Sequence, residues 1–101
     1  ATIVSADVPG ANNDMDAGSL GSPATGDVAV YATAQYTGDV GAIAFGTGDW
    51  STDLEVTAVY FSTPRPTWMG HSLGDGTSLQ ANVSSTVVAP WCGIAINFPA
   101  V

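Results

Sequence analysis

Positive charge is what this sequence lacks. It has no lysine and one arginine, Arg65, against nine acidic residues, for a formal net charge of −8. A surface that binds nucleic acid neutralises phosphates with several cations, and an anionic membrane attracts clusters of Lys and Arg. The deficit excludes both partners. Charge of either sign is also scarce: it makes up 10% of the residues, where roughly 25% is usual. The surface must then be covered mainly by Thr, Ser, Gly, Ala and Asn. Such a surface costs little to desolvate, and interface cores are depleted of charge. Two expectations follow: either much of the surface faces other subunits, or the chain is a secreted protein that is simply rich in Thr and Ser.

Cysteine is nearly absent too. Cys92 stands alone, so no intramolecular disulfide can form. Between Trp91 and Gly93, in an apolar stretch, it reads as a buried, inert thiol. Small secreted domains usually rely on disulfides, so their absence favours assembly inside a cell. No apolar run approaches the roughly 20 residues of a membrane-spanning helix, and no signal peptide is evident. The long apolar N-terminal helix of a type IV-like pilin is missing as well. Ala1 is expected to follow either a trimmed Met or a cleaved signal peptide. No segment combines helical periodicity with a cap and good helix formers.

What the sequence does have is a recurring turn signal: Thr25-Gly26-Asp27, Thr37-Gly38-Asp39 and Thr47-Gly48-Asp49, each followed by an apolar residue. The spacing is that of a strand plus a tight turn. Gly supplies the positive φ that such turns need, and Asp bonds its own backbone. Much of the acid therefore punctuates strands and need not line a site. Residues 1–8 predict a short strand. Residues 9–24, with two Pro, three Gly, two Asn and two Asp, predict a loop or an extended arm. From Asp27 onward the alternation is that of strands. In residues 28–35 the face carrying Val28, Val30, Ala32 and Ala34 reads as the core face. Further strands are predicted at 40–45, 54–62, 78–89 with a bend near Ser84-Ser85, and 91–98. Residues 63–70, with Pro64 and Pro66, break the pattern, and residues 71–77 read as a loop. The expected fold is all-β, an antiparallel β-sandwich or small β-barrel of six to eight strands with an extended N-terminal arm. Residues 1–24 would form the strand and turn-rich arm, and residues 25–101 the compact β domain.

Few residues offer chemistry. A Ser-His-Asp or Cys-His arrangement must use His71, the one histidine, and nothing nearby resembles a nucleophile elbow. Paired carboxylates would have to come from turn Asp residues and Glu55. An enzyme is therefore not expected, and no cofactor is implied. One possible exception is calcium: Asp14 and Asp16, in Asn12-Asn13-Asp14-Met15-Asp16-Ala17-Gly18, resemble the first half of a calcium loop, although no Glu closes it. Trp50, just after a turn, and Trp68, in the Pro-rich segment, offer a stacking platform for a sugar, or alternatively core filling or subunit contact. The sequon Asn82-Val83-Ser84 falls inside a predicted strand and matters only in a eukaryotic secretory context.

An extended arm, a compact β domain with few charges and an apolar C-terminus (Ile94, Ile96, Phe98, Val101) together resemble the small head-decoration proteins of tailed phages. The resemblance is one of size and architecture and rests on no residue-by-residue motif. It implies a non-enzymatic clamp on a capsid lattice. On this reading the chain is a homo-oligomeric structural protein at a virion surface. Its partners are copies of itself and neighbouring shell subunits, contacted through Met15, Leu20, Trp50, Trp68 and Phe98. The alternative is a secreted β-sandwich that binds carbohydrate through exposed Trp residues.

Overall fold

The computed structural model describes residues 1–36, 44–60 and 63–101, and these are all-β. Among the described residues six strands are formed: β1 (Thr2–Ser19), β2 (Val28–Gln35), β3 (Phe45–Gly46), β4 (Ser51–Tyr60), β5 (Thr63–Leu73) and β6 (Gln80–Phe98). They pair antiparallel in the order β1-β6-β2-β5-β4, and β3 joins β6 separately. The second Thr-Gly-Asp signal, at 37–39, and most of the strand expected at 40–45 lie outside the described residues.

The longest strand dictates the shape. Nineteen residues of straight strand, as in β6, would span about 60 Å at ~3.3 Å per residue. The longest dimension of the molecule is 44 Å, so β6 must bend. The ladder shows where: the pairs Asn12–Ala89 and Asp14–Ser84 are consecutive in register, so β6 passes four residues, 85–88, with no β1 partner. This is the bend expected near Ser84-Ser85. It folds the first half of β6, with its partners in β1, back over β2 and β5. Along β6, the odd positions Ala81, Val83, Ser85, Val87, Ala89, Trp91, Ala95 and Asn97 all stay buried.

Between the two layers lies an aromatic core. Tyr31 on β2, Trp50 before β4 and Trp68 on β5 meet with ring centroids 5.5 to 6.4 Å apart, in tilted and edge-on geometry. Such pairs each add about 0.5–1.5 kcal/mol beyond their area burial. Their polar atoms are all engaged. The Tyr31 hydroxyl donates to the Met15 carbonyl (2.8 Å), Trp50 Nε1 to the Gln80 carbonyl (3.0 Å) and Trp68 Nε1 to Thr52 Oγ1 (2.9 Å). Two of these bonds join the layers directly.

Three expectations are corrected here. Residues 9–19 are not a loop or arm but the second half of β1. Register breaks after Val8, Asn12 and Asp16 absorb the poor strand formers, and pairing with β6 continues to Ser19–Gln80. On β2 the buried face is Ala29, Tyr31, Thr33 and Gln35, not the Val and Ala face. Tyr31 and Gln35 can turn inward because carbonyls of the opposite layer accept their protons; Gln35 Nε2 bonds the Val87 carbonyl. Residues 63–70, expected to be broken by proline, and the start of the loop expected at 71–77 together form β5 (Thr63–Leu73). Pro64 and Pro66 lie beyond the last β2–β5 pair, Ala34–Thr67, where among the described residues β5 has a ladder partner on the β4 side only. Two positions apart, their nitrogens point to one side of the strand, and such an edge-like stretch tolerates proline.

Candidate functional site

The outer face of the sheet is the feature that calls for an explanation. Because β2 buries its odd residues, Val28, Val30, Ala32 and Ala34 point outward. Register carries that face across the neighbouring strands: Phe98, Ile96 and Ile94 on β6, and Leu73, His71 and Met69 on β5. Ile3 lies beyond Ile96 on β1, and Leu54 beyond Met69 on β4. Ile3, Val28, Leu54, Leu73, Ile94 and Phe98 are all exposed, and Val30, Ala32, Met69 and Ile96 partly so. Scattered apolar residues on a surface are ordinary; a contiguous apolar area over five strands is not.

Polar groups stand at its borders. On β1, Asp7 follows Ile3 and Ser5 along the same face, opposite Cys92. On β4, the bulged residue Asp53 reaches back, and its Oδ2 lies 2.7 Å from His71 Nδ1. This is the base and orienting acid of a catalytic triad in outline. Among the described residues, however, His71 has no hydroxyl hydrogen-bonded to its other nitrogen. Beside it opens a cleft of about 330 Å³ whose lining includes Asp49, Ser51, His71 and Asp75.

A second, shallower cleft of about 240 Å³ lies at the opposite end of β2, among Asp7, Pro9, Tyr36, Arg65 and Trp91. The Arg65 guanidinium sits 3.9 Å from the centre of the Tyr36 ring, a cation–π contact. Nearby, Trp91 Nε1 and Gln35 Oε1 are enclosed and have no hydrogen-bond partner among the described residues.

The residues singled out in the sequence separate sharply. Met15, Leu20, Trp50 and Trp68 belong to the chain's own core, at 4% exposure or less. They are therefore not available to a neighbouring subunit, and Trp50 and Trp68 offer no sugar platform; Trp91 is buried as well. Phe98 alone is exposed, and it lies in the outer apolar face. Cys92, expected to be buried, is exposed. Strand parity explains the reversal: its neighbour Trp91 takes the inward position, so Cys92 points out.

Asp14 and Asp16 are exposed on β1, either side of the buried Met15. A strand holds alternate residues roughly 6.5 Å apart, unlike a loop that curls oxygens around one ion. One Asp16 oxygen already accepts bonds from the Gly18 amide (2.9 Å) and Gln80 Nε2 (2.8 Å). Among the described residues no three His, Cys, Asp or Glu side chains cluster as metal ligands do.

One buried carboxylate went unrecognised in the sequence beyond its turn. Asp27 accepts from the Ala24 amide (3.1 Å), Asn97 Nδ2 (3.1 Å) and the Ala100 amide (2.8 Å), fastening the chain's end to the turn before β2. The bond from Asn97 and then that from Ala100 hold its carboxyl below the ordinary value of 3.8. No local signal marks it, since two of its partners lie some 70 residues away.

No protein-family model matches the chain, and neither a curated protein nor a solved structure proved similar to it.

Proposed function

We propose that this chain is a non-enzymatic structural module that assembles with further copies of itself, within a large symmetric particle such as a virion shell. The observation that supports this reading is the uncovered apolar face centred on Val30, Ala32, Ile94 and Ile96. Exposed to water, such a face is a solubility liability, and it is stable when another surface covers it. The scarcity of charge agrees, since desolvating a Thr, Ser and Ala surface meets little resistance. The contact surface differs from the one expected from sequence. It is a sheet face rather than an arm, and of the residues first named only Phe98 contributes.

The carbohydrate alternative loses its platform with Trp50 and Trp68 enclosed. The test is the mass of the untagged protein by light scattering over a range of concentration. Defined oligomers support assembly. A monodisperse monomer at every concentration counts against it.

A further inference from the structure

Resting on that assembly reading, we propose a specific interface: two copies stack outer face on outer face about a two-fold axis, and neither sheet edge takes part. Area, charge and the condition of the edges each support it.

The area suits a second copy. Leu73 is 68% exposed, Ile3 60% and Phe98 50%. With Val28, Leu54 and Ile94 they present on the order of 600 Å² of residue surface, at the upper limit of what a monomer normally exposes in one patch. The partly exposed Val30, Ala32, Met69 and Ile96 bring the face close to the ~800 Å² per partner of a standard interface. Its relief is suited to stacking. Ala32 makes a trough on β2 between Ile94 on β6 and Met69 on β5, and Ala34 continues it between Cys92 and Thr67. Two sheets pack about 10 Å apart with side chains interdigitated, and a two-fold axis sets the ridge of each copy into the trough of the other.

Charge restricts where two copies can meet. Each carries −8, so most approaches bring carboxylates together. The middle of this face holds no carboxylate. Asp7 stands at its β1 border, and Asp53, at the β4 border, is paired with His71.

The edges are closed to the alternative, strand addition. Exposed edges are commonly protected by charge, proline and bulges. On β1, an edge among the described strands, stand Asp7, Pro9, Asp14 and Asp16, with three register breaks. The other edge, β4, has the bulged Asp53 followed two positions on by Glu55. Both edges are defended and the face is not.

Sedimentation equilibrium of the wild-type chain and of Ile94→Asp, at low and high salt, tests the proposal. The wild type should show twice the 10.2 kDa chain mass. Its association should tighten as NaCl rises, because salt screens repulsion between like-charged copies and leaves apolar burial intact. Ile94→Asp should weaken association about thirtyfold or more, the loss of a central anchor, with unchanged tryptophan near-ultraviolet circular dichroism. Leu73→Asp, at the most exposed position, gives the same readout if Ile94→Asp disturbs the fold. A dimer or larger assembly that both variants leave intact overturns the face assignment while the assembly reading stands. An assembly larger than two that they dissolve overturns the two-fold closure. Weakening by salt overturns the like-with-like pairing. A monomer under all conditions overturns both the interface and the assembly reading.

Discussion

The hydroxyl of Tyr31 connects the layers of this protein with a single atom. It donates to the Met15 carbonyl inside the core, and burial, with the charges of Asp16 and Asp14 adding to it, pushes the phenol's pKa well up from 10. Tyr31→Phe takes this buried donor away from that carbonyl. The expected loss is about 1–3 kcal/mol, read as a lower urea midpoint with unchanged slope. Gly70 is constrained by sterics rather than by backbone angle: a Cβ there would stand 2.5 Å from both the Ser51 carbonyl oxygen and the Trp68 ring. Gly70→Ala should cost about 1–3 kcal/mol by overpacking, measured in the same way. Asp27 carries a pH dependence. Its folded pKa lies below the unfolded value near 3.8, so its contribution is complete above that value and is lost as pH falls through the folded one. Asp27→Asn should therefore be less stable than the wild type near pH 6, and the two should converge on acidification below the folded pKa. Thermal melts across that range check this.

At the scale of elements, β1 matters most. A loose arm can be removed without harm, whereas a strand that covers β6 from Thr2–Asn97 to Ser19–Gln80 cannot. Deleting residues 1–19 strips β6 of that partner and takes Met15 from the core. We expect the shortened chain to lose its cooperative thermal transition and its near-ultraviolet tryptophan signal. A truncated chain that keeps both would make β1 dispensable. Local composition hid this strand because Pro9, Gly10, Asn12 and Asn13 all favour turns. The turns themselves were legible. Gly26, with φ 96°, and Gly48, with φ 56°, each sit in a turn closed by a backbone bond, Asp27 N to the Ala24 carbonyl and Trp50 N to the Thr47 carbonyl. Glycine takes the third position in the first turn and the second in the other, so one tripeptide serves two turn geometries.

For the whole molecule, the two faces of the sheet have different fates. The inner face is filled by the chain itself, through the bend of β6. The outer face is left exposed. If the proposed pair forms, its stability depends on protomer concentration by mass action. The wild-type melting temperature should rise with protein concentration, and that of Ile94→Asp should stay flat. A flat response in both would mean that no pairing is coupled to folding. The high negative charge acts on the same equilibrium, and salt should stabilise pair and protomer alike.

Sequence alone determined the class of fold, because period-two alternation and Gly-Asp turns are local properties of the chain. It also argued against polyanionic partners, because charge is countable without coordinates. Which face of each strand turns inward was decided by the tertiary structure. By hydropathy, Val28, Val30, Ala32 and Ala34 outrank Ala29, Tyr31, Thr33 and Gln35. The latter are buried because the doubled-back β1 and β6 supply carbonyls for Tyr31 and Gln35, and because Tyr31 packs against Trp50 and Trp68. Those partners lie 16 or more residues away, and an alternating pattern carries no record of what stands opposite it. The same choice left Ile94, Phe98 and Leu73 on the outside, and with them the surface through which this protein is proposed to act.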